Sequence, residues 1–288
     1  MSSRIAIVTG ASSGMGEALS RELVNRGWFV AMVDVKDNAA LLEELGDKAS
    51  FHHTNVASYD SQAATFQAVF DRHGHIDALY ANAGIGNGSS IFILEHRGSD
   101  ELPPAPDLLC TDIDWKGVVY GTQLAIHFMR KNKPKAGGVI VATASIAAMH
   151  PHPAFAEYNG AKAAVLNFVR GTAPVLKMKE NIRINCVMPG IVHTNIVPPQ
   201  LVAAAGPEYM TPLSTVTSAY VRLLDDENAT GQAIECSRDR HLLYPDPSLL
   251  DDQYTKRAVT VWEPVFKLMH HEVSELPDAI PGEHLQLS

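Results

Sequence analysis

Cysteine is scarce: Cys110, Cys186 and Cys236 are the three in a chain of 288 residues. An odd number cannot all pair within one chain, and their separations fit no zinc spacing, so neither a disulfide scaffold nor a cysteine metal site is expected. Buried, reduced thiols in a cytoplasmic protein are expected instead. A strand-like run begins at Ile5, so no targeting leader is expected ahead of it. No apolar stretch approaches the roughly 20 residues of a membrane helix, and no membrane partner is expected. Dense runs of lysine or arginine are also missing. At a net charge of -9 the chain offers no electropositive track for nucleic acid. His150 and His152 alternate with proline and have no acidic or cysteine partner spaced for coordination, so no metal is expected.

What the chain has is alternation. Short apolar runs at Ile5-Ala6-Ile7-Val8, Phe29-Val30-Ala31-Met32-Val33, Phe51-His52-His53-Thr54, Ala78-Leu79-Tyr80-Ala81, Val139-Ile140-Val141-Ala142, Ile182 to Met188 and Ala233-Ile234-Glu235-Cys236 read as strands separated by helical patterns. That predicts an α/β fold with a parallel, seven-stranded sheet covered by helices on both faces. Residues 1–245 fit one domain with one core, and 246–288 an extension with a helix from Asp251 to His271. Residues 85–107 and 195–215 break the pattern with glycine and proline. The second stretch follows the sixth strand, so it lies over the carboxyl ends of the strands, where ligands bind in such sheets.

Two local patterns carry chemistry. After the first strand comes Thr9-Gly10-Ala11-Ser12-Ser13-Gly14-Met15-Gly16, opening a helix with apolar positions at Met15, Ala18, Leu19 and Leu23. Glycines in that context let backbone approach a pyrophosphate at a helix N-terminus. The second strand ends on Asp34, whose carboxylate can accept from both ribose hydroxyls of adenosine and would repel a 2'-phosphate. The other pattern is Ser145-x12-Tyr158-x3-Lys162. Four residues apart on a helix, Tyr158 and Lys162 share a face, and a cation one turn away favours the phenolate of a phenol that otherwise titrates near pH 10. Ser145 can hydrogen-bond a substrate oxygen beside that phenol.

With these stand Asn82-Ala83-Gly84, Pro189-Gly190 and Thr194. In this order and spacing, over about residues 4 to 240, the chain resembles the short-chain dehydrogenase/reductase family, and within it NAD-dependent hydroxyprostaglandin dehydrogenase-like members. The resemblance implies a Rossmann-type, doubly wound sheet and hydride transfer between NAD(H) and a small alcohol or ketone. It implies catalysis by Ser145, Tyr158 and Lys162, with Asp114 in the proton relay. It implies cofactor contacts from Gly10, Ser13, Gly14, Met15, Gly16, Asp34, Asn55, Val56, Asn82, Ala83, Gly84, Tyr158, Lys162, Pro189, Gly190, Val192 and Thr194. It makes 195–215 a substrate lid, and pairs the helices near 112–131 and 157–173 with their copies in a homodimer or homotetramer.

Some residues depart from the family. Asp114 stands where the family usually has asparagine. Unpaired, its charge would raise the Tyr158 pKa; paired with Lys162, it would weaken the lysine's help; or its backbone alone holds the relay water. Asn55 replaces a common aspartate, and its amide oxygen can accept the same adenine bond. Pro174 should kink or end the Tyr158 helix. Lys36, two residues past Asp34, leaves an NADP-dependent reductase as an alternative, and a non-redox nucleotide-binding member (cyclase, isomerase or scaffold) is a second.

Overall fold

A computed structural model of the chain describes residues 3–282. One sheet carries eight strands: β1 (Ile5–Thr9), β2 (Phe29–Asp34), β3 (Ala49–His53), β4 (Ala78–Ala81), β5 (Gly138–Thr143), β6 (Ile182–Pro189), β7 (Ala233–Ser237) and β8 (Arg240–Tyr244). Their spatial order is β3-β2-β1-β4-β5-β6-β7-β8. β1 to β7 run parallel, and β8 returns antiparallel to β7. The seven-strand expectation thus falls one short. β8 was hidden because the turn into it uses Arg238 at φ 55 rather than glycine or asparagine, and because Arg240, Leu242 and Leu243 lie exposed on the sheet edge.

The helices are α1 (Gly14–Asn25), α2 (Ala39–Leu45), α3 (Tyr59–His73), α4 (Leu109–Thr111), α5 (Gly117–Met129), α6 (Ala156–Glu180), α7 (Pro199–Ala205), α8 (Leu213–Asp225), α9 (Tyr254–Val259) and α10 (Glu263–His270). Strands such as β1 and β6 are buried along their whole length because apolar helix faces cover both sides. Leu19 and Leu23 of α1, Leu41 of α2 and Val216, Ala219 and Leu223 of α8 pack one face. Phe66 and Val69 of α3, Leu124 and Phe128 of α5, and Val165 and Val169 of α6 pack the other. Chain order reverses at β1, which lies between β2 and β4, and a crevice opens there at the carboxyl ends.

Pro174 does not end α6, which runs on to Glu180 and closes with Asn181 at φ 52. A proline inside a helix costs about 3 kcal/mol, but Ala173 and Leu176 on either side of it are buried in the core, and that packing holds the last turns. The single helix expected for 251–271 is two, α9 and α10. Pro264 sits in the first turn of α10, and Trp262 just before it bridges to Ile280. The 195–215 stretch contains α7 and the start of α8, while 85–107 has only a single 3-10 turn, Leu94–His96. Among the described residues, no helix is long and apolar enough to cross a membrane.

On β3 and the end of α3, burial and the nearby Arg72 hold His52 and His73 below the ordinary histidine pKa. Two more imidazoles, His75 and His52 itself, add to the effect at His73. The His73 ring packs on Phe29 at 4.3 Å, and its Nε2 is buried without a partner. Both rings therefore take up a proton less readily in the fold than in the unfolded chain, where they protonate near pH 6.5. Their contribution is complete above that pH and is lost as pH falls through it toward the lowered values. The urea midpoint should be lower at pH 5 than at pH 7.5, and His52→Gln/His73→Gln should narrow that gap; an unchanged gap in the double variant would count against the assignment.

Candidate active site

The β1–α1 turn builds the first half of the crevice. Gly10 lies at φ +66 with Ala83 so near that a Cβ would sit 2.9 Å from its Cα. A Cβ at Gly16 would run into the Gly10 carbonyl and lie 2.8 Å from Asn82 Nδ2. Only glycine lets the turn and the helix start fold this tightly. Ser13, at the helix start, makes no side-chain capping bond, so the first-turn amides of α1 stay available to an anion. At the end of β2, Asp34 accepts from the Ser12 amide on one oxygen and the Lys36 amide on the other, both at 3.1 Å. Gly10, Ser13, Gly14, Met15, Asp34, Asn55, Val56, Asn82, Ala83 and Gly84 line one cleft, with Thr194 also on its wall. Asn55 is exposed, and its Oδ1 already accepts from the Ala57 amide at 3.0 Å, leaving one lone pair for an adenine.

Asn82 lines the cleft, but its side chain is spent inside the protein. Nδ2 donates to the Thr9 carbonyl at 2.9 Å, and Oδ1 accepts from the Tyr220 hydroxyl at 3.1 Å, with Thr143 Oγ1 also near at 3.4 Å. Its backbone amide donates to Thr9 Oγ1 at 2.9 Å. Thr143 and Tyr220 hydroxyls meet at 2.6 Å. The residue therefore clamps the ends of β1, β4 and β5 to α8. Tyr220 is fully buried and was not anticipated; its one signal was its place on the apolar face of α8.

Beside this cleft lies a second, lined by Ser145, Tyr158, Lys162, Asp114, Pro189, Gly190, Val192 and Thr194, and sharing Met15, Asn82 and Gly84 with the first. Of the residues expected in the site, all but Gly16 line one of two adjoining clefts; Gly16 is buried against the Gly10 carbonyl behind the turn. Ser145 follows β5, is 8% exposed, and accepts from the Ala147 amide at 3.1 Å, which leaves its own hydrogen free to donate. Lys162 Nζ donates to the Thr143 carbonyl at 2.8 Å and lies 5.6 Å from the centroid of the Tyr158 ring. Asp114 is paired: its Oδ2 is 3.1 Å from Lys162 Nζ, and its Oδ1 accepts from the Ile85 amide at 2.8 Å. It sits in a π-helical turn, Asp112–Lys116, a local widening that often marks a functional position. Burial works against charge on both partners, raising Asp114, but at Lys162 the carboxylate more than offsets it and the ammonium is held.

Neighbouring loops are tied to the same helix. Asn87 Oδ1 accepts from the Tyr158 amide at 2.9 Å, and Glu157 accepts from Thr111 through amide and hydroxyl, both at 2.9 Å. His152 is engaged with Ala154 and Asn159, and the His150 ring stands edge-on to Tyr244. The residues present fit a dinucleotide: a glycine cradle that a Cβ would fill, an uncapped helix start, and a carboxylate fixed at the end of β2.

The short chain dehydrogenase family model matches residues 4–202. The chain is 51% identical over 292 residues to the short-chain dehydrogenase/reductase prx6 of Penicillium rubens, covering 96% of this chain and 98% of that protein. It is 32% identical over 202 residues to the 15-hydroxyprostaglandin dehydrogenase [NAD(+)] of Rattus norvegicus, covering 67% and 70%. Among solved structures, a 3-ketoacyl-(acyl-carrier-protein) reductase from Brucella melitensis complexed with NADH superposes with a TM-score of 0.71 at 23% identity, over 83% of this chain and 99% of that one.

Gly16→Ala should lower the thermal midpoint, at a cost of about 1–3 kcal/mol from forced overpacking, and should weaken dinucleotide binding in calorimetric titration. Unchanged stability and binding would show that the turn is looser than this packing requires.

Proposed function

Because this chain belongs to the short-chain dehydrogenase family, we propose that it is an NAD-dependent oxidoreductase interconverting a secondary alcohol and a ketone, with Tyr158 as general base and acid. The observation that carries this reading is the adjacency of the two clefts: Ser145, Tyr158 and Lys162 line the one that shares Met15, Asn82, Gly84 and Thr194 with the nucleotide cleft. The relatives named for NAD(+) and a hydroxyl group support the same reaction class.

Gly10, Ser13, Gly14, Met15 and Gly16 would hold the pyrophosphate, Asp34 the adenosine ribose, and Asn55 and Val56 the adenine. Asn82, Ala83, Gly84, Lys162, Pro189, Gly190, Val192 and Thr194 would line the nicotinamide end. A bound nicotinamide supplies the hydride acceptor or donor. In the oxidative direction Tyr158 takes the hydroxyl proton, and in the reductive direction its phenol returns one to the carbonyl oxygen. Ser145 donates to that oxygen and stabilises charge as it develops. Lys162 fixes the phenol's surroundings and reaches toward sugar hydroxyls. Residues 195–215 act as the lid over the substrate.

Asp34 supports NAD over NADP, since both its oxygens are held by backbone amides and the carboxylate cannot turn away without losing them. Lys36, exposed on the same cleft wall, is the observation that favours NADP as the second reading. Assembly into a homodimer or homotetramer is supported by the outer side of α6, where Gly160 and Gly171 face open space that a close-packed partner helix would fill.

Tyr158→Phe should lower kcat by at least about 100-fold with dinucleotide affinity nearly unchanged, because proton transfer alone is lost; near wild-type turnover would refute the catalytic role. Asp34→Ala should weaken NAD binding and strengthen NADP binding in fluorescence titrations. A preference identical to wild type would place the ribose elsewhere.

A further inference from the structure

An ammonium carries three N–H donors. At Lys162 one goes to the Thr143 carbonyl, and Asp114 Oδ2 stands 3.1 Å from the ammonium as an ion pair, so donor capacity remains for the cleft and the phenol. Asp114 is 0% exposed and Lys162 3%. Gly84 backbone covers the pair so closely that a Cβ there would lie 3.0 Å from Asp114 Oδ2 and 3.3 Å from Lys162 Nζ. The lysine is therefore neutralised by a carboxylate in direct contact, away from bulk water. The other titratable groups that face the pair are Tyr158 and Glu157 from α6 and Cys110 from α4. Burial pushes the Cys110 thiol up to about 12, so it adds no charge at ordinary pH. The Glu157 side chain adds to the negative side by raising Asp114.

The identity of residue 114 has a geometric reason. Its two oxygens face different donors: Oδ1 accepts from the Ile85 N–H, and Oδ2 faces the Lys162 ammonium at 3.1 Å. An asparagine would offer one oxygen and one NH2 group, so whichever way it turned, a donor would face a donor.

Resting on the assignment of Tyr158 as acid and base, we propose that Asp114 is a positioning residue that fixes Lys162 and, by cancelling much of its charge, keeps the Tyr158 phenol protonated to higher pH. A lone ammonium beside a phenol favours the phenolate; an ammonium closed against a carboxylate presents a dipole whose field at the phenol is much weaker. The consequence is that the pH range in which the site can protonate a carbonyl oxygen extends upward, and alcohol oxidation needs more alkaline conditions.

The test is a phenolate absorbance titration of the full chain without added nucleotide. It is run for wild type, Asp114→Asn and Asp114→Ser, each paired with its Tyr158→Phe counterpart so that the difference isolates Tyr158. The expected result is a Tyr158 pKa lower by about one unit in both Asp114 variants, a tenfold change in proton affinity. The basic limb of kcat/KM should move the same way. Asp114→Ser is the second arm in case the misplaced amide of asparagine prevents folding, which circular dichroism reports. An unchanged or raised Tyr158 pKa in the folded variants overturns the proposal. A KM change without a pKa shift also overturns it and reduces Asp114 to a prop for Ile85. Failure of the catalytic assignment itself is separable, because it would appear as turnover surviving Tyr158→Phe in the wild-type background.

Discussion

Asn82 stands at the point where β1, β4 and β5 end side by side, and its amide is divided among Thr9, Thr143 and Tyr220. Parallel strands do not by themselves fix the spacing of their carboxyl ends; side chains beyond the last ladder bonds must do so. Here one buried amide performs that task, and the elements of both clefts hang from it. The Gly10 turn abuts Ala83, the residue after Asn82. The Lys162 ammonium is bonded to the carbonyl of Thr143, whose hydroxyl belongs to the same network. The two hydroxyl hydrogens run as a relay, Thr143 donating to Tyr220 and Tyr220 to Asn82 Oδ1, so the cluster is bonded as a chain.

Charge in the crevice is arranged in the same economical way. The first half presents uncapped amides and one carboxylate anchored by two backbone bonds, a combination suited to an anion flanked by hydroxyls. The second half buries one cation and one anion against each other under Gly84. An unpaired charge with so little exposure would be costly, and each partner makes the other tolerable. Asp114 reaches Lys162 of α6 from within the π-helical turn Asp112–Lys116.

Much of this was legible in the residues because it is local. Period and spacing gave the parallel strands and the glycine turn, and Gly10, Gly14, Asp34, Tyr158 and Lys162 line the two clefts, while Gly16 packs behind the turn. What stayed hidden depends on partners far along the chain. The inward use of Asn82 required Tyr220, 138 residues away. Whether Asp114 was paired could not be read from its neighbours in sequence, since its partner lies on another helix. Pro174 misled in the opposite sense, because a local breaking tendency was overruled by the burial of Ala173 and Leu176. β8 escaped because an exposed edge strand carries no alternating pattern to detect.

The long reach of the Asn82 clamp also bears on the order of events when the chain folds. Its bonds join residues 73, 61 and 138 positions apart. Contacts of such separation close only after large loops have been brought in, and they form slowly compared with helix turns and neighbouring βα units. The clamp therefore closes only when α8 docks, bringing Tyr220 together with Val216, Ala219 and Leu223 of its own layer. The crevice is complete only with α8 in place, so a ligand that binds it stabilises the docked helix, and with it the fold, by mass action.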